Sequence, residues 1–425
     1  MNLVDELINF INQSTSTFHT VKNMIKILEQ NNFKCINNQK WSLDKGQSYY
    51  TTVNNSAVVA FTIPEDTDNL SFKIIGTHTD SPGFRIKSNP VINQDSYFKL
   101  NTEVYGGPIL NTWFDRPLSI AGQVAFKSDD VLNPNLTLID FKEPIMIIPN
   151  LAIHINRDVN DGIKLNPQKD TLPILAYVDN EIDNNTFLNL IATKLGVNTS
   201  DILGMDLFLY PTEQGCILGI DKQFISSPRL DDLCMTYSGL HALINNKSNC
   251  AVNLLTAFDH EEVGSRTRTG ANSLMLNNIL ERISLSLSKS RDEFLSCLDK
   301  SFLISADVAH LCHPNFSEKS DPTNKVLPGN GPTIKISANC SYTSNGDSSA
   351  VFANLCMQNN IKYQTFMNPS NMRGGSTIGP HVSAHTCIRT VDIGTPILSM
   401  HSIRELMTIE DFVLTTDAFG HFYAI

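Results

Sequence analysis

The chain has no CxxC pair, no block of basic residues, no internal repeat and no apolar run approaching the length of a membrane span. Each absence removes a class of function. Nine cysteines, an odd number and scattered singly, indicate neither a disulfide framework nor a thiolate zinc site, so reduced thiols and a cytoplasmic location are expected. With 32 Lys and Arg against 43 Asp and Glu, the net charge of −11 argues against a nucleic-acid partner, because nothing is available to neutralise phosphates. A chain without a long apolar stretch is not expected to span a membrane. The first residues mix Asp5 and Glu6 with Leu3, Val4, Leu7, Ile8 and Phe10 and carry no basic leader, so no signal peptide is expected. At 425 residues and 41% hydrophobic, the chain can bury the core of two domains or of one large one.

What is present is more specific. The apolar run Leu254-Leu255-Thr256-Ala257-Phe258 leads directly into Asp259-His260-Glu261-Glu262-Val263-Gly264-Ser265. Adjacent carboxylates at the end of a buried strand lose hydration and raise each other's pKa. A divalent cation removes both costs: one carboxylate can hold it while its neighbour reaches a water, which is the layout of a metallohydrolase. Three other apolar runs end the same way. Phe72 to Gly76 leads to His78-Thr79-Asp80, Phe302 to Ala306 leads to Asp307, and Val391 to Ile393 with Pro396 to Met400 leads up to His401. A further segment, Arg229-Leu230-Asp231-Asp232-Leu233, opens a helix expected to be amphipathic over Leu230 to Ile244. In an open α/β sheet, ligands gather beyond the carboxyl ends of the strands, so one site assembled from these five places is expected.

The organisation along the chain supports that class. Residues 1–33 read as two helices, with Ser16 or Thr17 as an N-cap. Ser56 to Ile63 and Ser71 to Thr77 read as strands. From 86 to 222 the chain shows short β-like runs broken by Gly, Pro and Asn: Tyr97 to Val104, Ser119 to Phe126, Leu136 to Phe141, Ile145 to Ile148 and Met205 to Tyr210, with one helix over Asp183 to Leu195. Helix and strand alternate again from near 226, through Val252 to Phe258, Ser273 to Leu287 and Ser301 to Ala306. The expected fold is therefore α/β, a mixed and largely parallel sheet flanked by helices, formed by 1–85 and 223–425 and interrupted by a β-rich insertion over 86–222.

Six motifs occur in one order: Gly76-Thr77-His78-Thr79-Asp80-Ser81-Pro82; Tyr105-Gly106-Gly107 with Thr112-Trp113-Phe114-Asp115-Arg116; Ser227-Pro228-Arg229-Leu230-Asp231; Asp259 to Ser265; Ala306-Asp307-Val308-Ala309-His310 with His313-Pro314-Asn315; and Met400-His401-Ser402-Ile403-Arg404-Glu405. The set resembles the aspartyl aminopeptidase (M18) family of metallopeptidases, from about residue 16 to the C-terminus. The resemblance implies a dinuclear zinc peptidase fold with an inserted dimerisation domain, two zinc ions, peptide substrates with a free N-terminus, and a homo-oligomer, commonly a dodecamer built from dimers. It implies Asp231 bridging both ions, His78 and Asp307 completing one site, Glu262 and His401 the other, and Glu261 as general base. Asp80 would fix the tautomer of His78. Tyr342 resembles a tyrosine that stabilises the oxyanion, and Lys335 a pocket lysine suited to acidic N-terminal residues. His154 resembles a histidine that reaches a neighbouring subunit's active site, touching metal or substrate; a core or edge-strand histidine is the competing view.

The segment Ile378-Gly379-Pro380 followed by His381-Val382-Ser383-Ala384-His385 departs from the family pattern, which bears on the substrate pocket. Two other readings remain open on sequence: a deblocking aminopeptidase or deacylase of the same broad fold, and an assembly protein without catalysis.

Overall fold

The computed structural model describes residues 2–36, 40–248 and 250–425. The run Val252–Phe258 forms a strand buried along its whole length, as befits a strand covered on both faces. Its side chains alternate between two cores. Leu254 and Phe258 pack with Ile74 and Leu303 on one side, while Leu255 and Ala257 pack with Ile75 and Ile304 on the other. That period of two is the strand pleat.

Among the described residues, nine strands form this sheet. Their order is Lys34–Cys35, Ser48–Val53, Ala57–Thr62, Val252–Phe258, Phe72–His78, Phe302–Ala306, Arg389–Gly394, Thr333–Lys335 and Gln364–Phe366. The central four, Val252–Phe258 through Arg389–Gly394, run parallel, and antiparallel pairs flank them on both sides. Helices Leu3–Gln13, Thr17–Gln30, Leu230–Asn245, Gly346–Gln358 and Ile409–Ala424 feed one core, and Met275–Ser286, Arg291–Lys300 and Gly379–Thr386 feed the other. The fold is mixed α/β with a largely parallel sheet between helix layers. Ser16 is the cap of the second helix, accepting the N–H of His19, and Ser290 with Glu293 closes a capping box.

The helix over Leu230–Asn245 corrects an expectation. It is not amphipathic: nearly every residue to Leu243 is buried, because the sheet covers one side and the helices Leu3–Gln13 and Ile409–Ala424 cover the rest. Gly239 lets it sit close, since a Cβ there would lie 2.8 Å from Leu255 Cδ1 and 3.2 Å from Ile75 Cγ2.

A second sheet, six antiparallel strands among the described residues, is ordered Asn135–Asp140, Leu118–Phe126, Ile202–Pro211, Gly83–Gln94, Tyr97–Tyr105 and Ile174–Tyr177. Phe187 and Ile191 of helix Asn184–Leu195 pack into its core. The expected strand over Ile145 to Ile148 is absent from it; only isolated bridges, Leu118 to Met146 and Ile147 to Ile174, form there. Pro144 and Pro149 enclose the run and leave it too short to ladder. The strand Gly83–Gln94 escaped the sequence reading because its register slips between Ile86 and Val91, around Pro90, which erases the alternation. A third sheet joins Cys216–Leu218, Phe224–Ser227, Glu405–Thr408, Pro396–Leu398 and Ala309–His310. Among the described residues, no helix is long and apolar enough to cross a membrane.

Leu254 is fully buried in the strand around which this fold is layered. Leu254→Ala is expected to lower unfolding free energy by about 2–5 kcal/mol, read as a reduced denaturant midpoint with an unchanged m-value.

Candidate metal centre

The parallel strands deliver their polar residues to one edge. His78 is the last residue of its strand, Asp307 follows Ala306, and Glu261–Val263 form a short 3₁₀ turn just past Phe258. Asp231 and Asp232 leave helical geometry at the start of Leu230–Asn245, and the peptide bond between them is cis. His401 lies between the strands Pro396–Leu398 and Glu405–Thr408.

These side chains meet around Asp231. Its Oδ1 lies 3.3 Å from His78 Nε2, and its Oδ2 lies 3.4 Å from His401 Nε2. Asp307 Oδ1 is 4.0 Å from the first imidazole, and Glu262 Oε2 is 3.5 Å from the second. Ligand atoms of His78, Asp231, Asp232 and Asp307 lie within 4.8 Å of one another, as do those of Asp231, Glu262 and His401 and those of His78, Glu261 and Glu262.

Both imidazoles are held by their far nitrogen. His78 Nδ1 faces the Asp80 carbonyl at 3.1 Å and the Asp80 carboxylate at 3.5 Å; His401 Nδ1 faces the Gly107 carbonyl at 3.1 Å. A proton on Nδ1 leaves the Nε2 lone pair turned toward Asp231, the tautomer a metal-binding imidazole needs.

The residues fit divalent cations. Asp231 Oδ1, Asp232 Oδ1 and Glu262 Oε1 are buried and accept no hydrogen bond, Asp307 crowds the same space, and Asp80 lies buried on the far side of His78. Buried, unpaired carboxylates at this density carry a large desolvation and repulsion cost that protons or cations must offset. Accordingly, burial pushes the Glu261 carboxyl up to about 8; Asp307, Asp80 and Asp231 add to that while His78 opposes it. Burial raises Glu262 and Asp232 well above the carboxylate range as well. Burial lowers His401, but Asp231 and the Gly107 carbonyl outweigh it and bring the imidazole up to about 9.

Asp80 does more than orient His78. Its two oxygens accept the backbone N–H groups of Glu261 at 3.1 Å and Glu262 at 3.2 Å, and the Tyr105 hydroxyl at 2.8 Å. Glu405 plays the corresponding part on the other side, accepting the N–H of Asp231 at 3.0 Å and of His401 at 2.8 Å. Asp232 accepts the N–H of His78 at 3.0 Å. The sequence reading assigned no role to Tyr105, Gly107, Asp232 or Glu405, although each lies inside a quoted motif or segment.

The remaining candidates fall into two groups. Lys335 is buried: its ammonium donates to the Val308 carbonyl at 3.0 Å, lies 3.6 Å from Asp307 Oδ2 and sits 5.2 Å from the Tyr342 ring centre. Tyr342 is buried beside Phe366. His154 is brought to none of these residues. It lies exposed in the 3₁₀ turn Ile153–Ile155, neither in the core nor on an edge strand. A cavity of about 290 Å³ adjoins the cluster between the large sheet and the six-stranded one; its wall includes Asp80, Asp231 and Glu405 but not Glu261, Glu262, Asp307 or His401.

Carboxyls raised by burial cost most when ionised, and histidines raised by carboxylates stabilise most when protonated. Both effects make the cation-free protein more stable as pH falls from about 9 towards 6, whereas a bound cation needs those same groups free of protons. Melting with and without added zinc should therefore show a gain that is large near pH 9 and shrinks steadily towards pH 6. A gain independent of pH would show that zinc binds elsewhere.

The sequence profile of the family described as Aminopeptidase I zinc metalloprotease (M18) matches residues 10–423. A probable M18 family aminopeptidase 2 from Clostridium acetobutylicum is 50% identical over 427 residues, covering 100% of this chain and 99% of the relative. Among solved structures, a chain of the Ape4 and Nbr1 complex superposes with a TM-score of 0.94 at 33% identity, over 98% of this chain and 84% of that one. The S. cerevisiae mApe1 dodecamer gives a TM-score of 0.84 at 27% identity, over 99% and 96%. The chain thus belongs to the M18 family of zinc metalloaminopeptidases and is a hydrolase.

Proposed function

We propose that the protein removes single residues from the free N-termini of peptides, with two divalent cations, zinc by preference, held by His78 and Asp307 on one side, Glu262 and His401 on the other, and Asp231 shared. One observation carries this reading: Asp231 turns a different oxygen to each imidazole. When bound, such cations acidify a water and polarise the scissile carbonyl. Glu261 takes a proton from the attacking water and hands it to the leaving amine. Asp80 holds the backbone of Glu261 and Glu262 while this happens. The Tyr342 hydroxyl donates to the oxyanion, where a hydrogen bond contributes most. Carboxylates of the centre hold the substrate's α-ammonium, which limits cleavage to the first residue.

The reading extends to the assembly. Residues 1–85 and 223–425 form the catalytic part, and 86–222 the dimerisation insertion. Exposed Leu151, Ile153 and Ile155 around His154 support a subunit contact there, through which His154 would enter a neighbouring site as ligand or substrate contact. The dodecameric state of the S. cerevisiae relative supports a dodecamer built from dimers. Nine free cysteines support action in the cytoplasm.

Glu261→Gln should keep its zinc and its fold yet lose turnover by ~10²–10⁴; a metal-loaded, folded variant with normal turnover removes Glu261 from the base role. Substrate choice is read separately. With the Lys335 ammonium 3.6 Å from Asp307 Oδ2, a panel of aminoacyl-anilides should favour Asp and Glu over Ala, Leu and Lys. Equal rates across that panel would take Lys335 out of recognition and leave the chemistry intact.

A further inference from the structure

Asp392 lies on the strand Arg389–Gly394, fully buried, and is not one of the groups that converge on the cation cluster. Its carboxylate nevertheless accepts four short hydrogen bonds. Oδ1 takes the hydroxyls of Ser305 at 2.6 Å and Thr377 at 2.5 Å; Oδ2 takes the N–H and the hydroxyl of Thr343, each at 2.6 Å. Four acceptor positions are what a carboxylate offers, so the group is saturated, and bonds to an ionised acceptor are the strong kind.

The donors come from three separate segments. Ser305 stands two residues before Asp307, Thr343 directly follows Tyr342, and Thr377 comes just before the helix Gly379–Thr386. Gly379 packs hard against the same carboxylate: a Cβ there would lie 2.6 and 2.7 Å from its oxygens. Tyr342 itself belongs to a connection, residues 336–345, that contains neither helix nor strand. No ladder fixes its backbone; the tie from Thr343 to Asp392 does, aided by the bond from the N–H of Asp392 to Ser344 Oγ at 2.8 Å, while the ring packs beside Phe366 and the hydroxyl meets the side chain of Asn368.

We propose that Asp392 is a positioning residue for the oxyanion side of the reaction: by clamping Thr343 against the strand that neighbours Asp307, it sets where the Tyr342 hydroxyl meets the scissile carbonyl. This rests on the oxyanion role given to Tyr342 above.

The test is a double-mutant cycle on the zinc-loaded enzyme with an aminoacyl-anilide. Asp392→Ala should lower kcat by ~10–100-fold with zinc content and KM unchanged. Asp392→Asn should recover most of that loss, since its carbonyl can still accept from Thr343 while its amide donates to the hydroxyls of Ser305 and Thr377. Tyr342→Phe alone should lower kcat by ~10²-fold. In that background, Asp392→Ala should cost less than about 3-fold more, the mark of two residues acting as one unit. Multiplicative losses would overturn the positioning role while leaving Tyr342 in place. An unchanged kcat in Tyr342→Phe would overturn the oxyanion reading and this inference with it. Thr343→Val removes a single hydroxyl bond and serves in the same cycle if Asp392→Ala does not fold.

Discussion

The structure turns on one carboxylate. Asp231 sits between two imidazoles that arrive from segments more than 300 residues apart, His78 and His401, and offers each a separate oxygen. The acids nearby either supply negative charge to that point or hold the groups that do, and the Lys335 ammonium, 3.6 Å from Asp307 Oδ2, offsets part of it. Such a concentration of buried carboxylates is unstable without positive charge, so the fold is organised as a container for cations at least as much as a hydrophobic assembly.

Holding the groups is done largely by acids that grip backbone rather than side chain. Asp80 holds the N–H groups of Glu261 and Glu262, Glu405 those of Asp231 and His401, and Asp232 that of His78. Each bond except that from His401 to Glu405 joins segments far apart in the chain. Loops are otherwise the mobile part of a domain, and here three carboxylates pin five positions of the cluster, of which Glu261, Glu262 and His401 lie outside the strands and α-helices. The loop-borne part of the cluster thereby acquires the stiffness of the strand and helix ends beside it.

Much of this was legible in the sequence, and the reasons for the remainder are specific. The strand Val252–Phe258 and the acidic cluster after it were visible because a buried parallel strand reads as a continuous apolar run with an abrupt polar end. His78, Asp307 and His401 were found by the same sign. Asp232 and Glu405 were quoted but given no task, since an acid that accepts a remote backbone N–H leaves no local pattern. The helix Leu230–Asn245 looked amphipathic because Thr236, Ser238 and His241 interrupt its apolar residues. Thr236 and Ser238 are instead buried and satisfied internally, by Thr77, the His78 carbonyl and Thr416. Pro90 concealed one strand of the six-stranded sheet and Pro144 with Pro149 imitated another. Proline at a bulge breaks the period on which strand reading depends.

The loop Tyr105-Gly106-Gly107 emerges from the six-stranded sheet, yet its carbonyl at Gly107 orients His401 and its hydroxyl at Tyr105 buttresses Asp80. Gly106 adopts a left-handed backbone, and a Cβ there would press on Glu262 at 3.1 Å. The six-stranded sheet is therefore no detachable module. Cutting it away to make a smaller enzyme would strip a histidine of its tautomer lock and an acid of its brace, so the two parts of the chain can be exchanged between homologues only as a matched set.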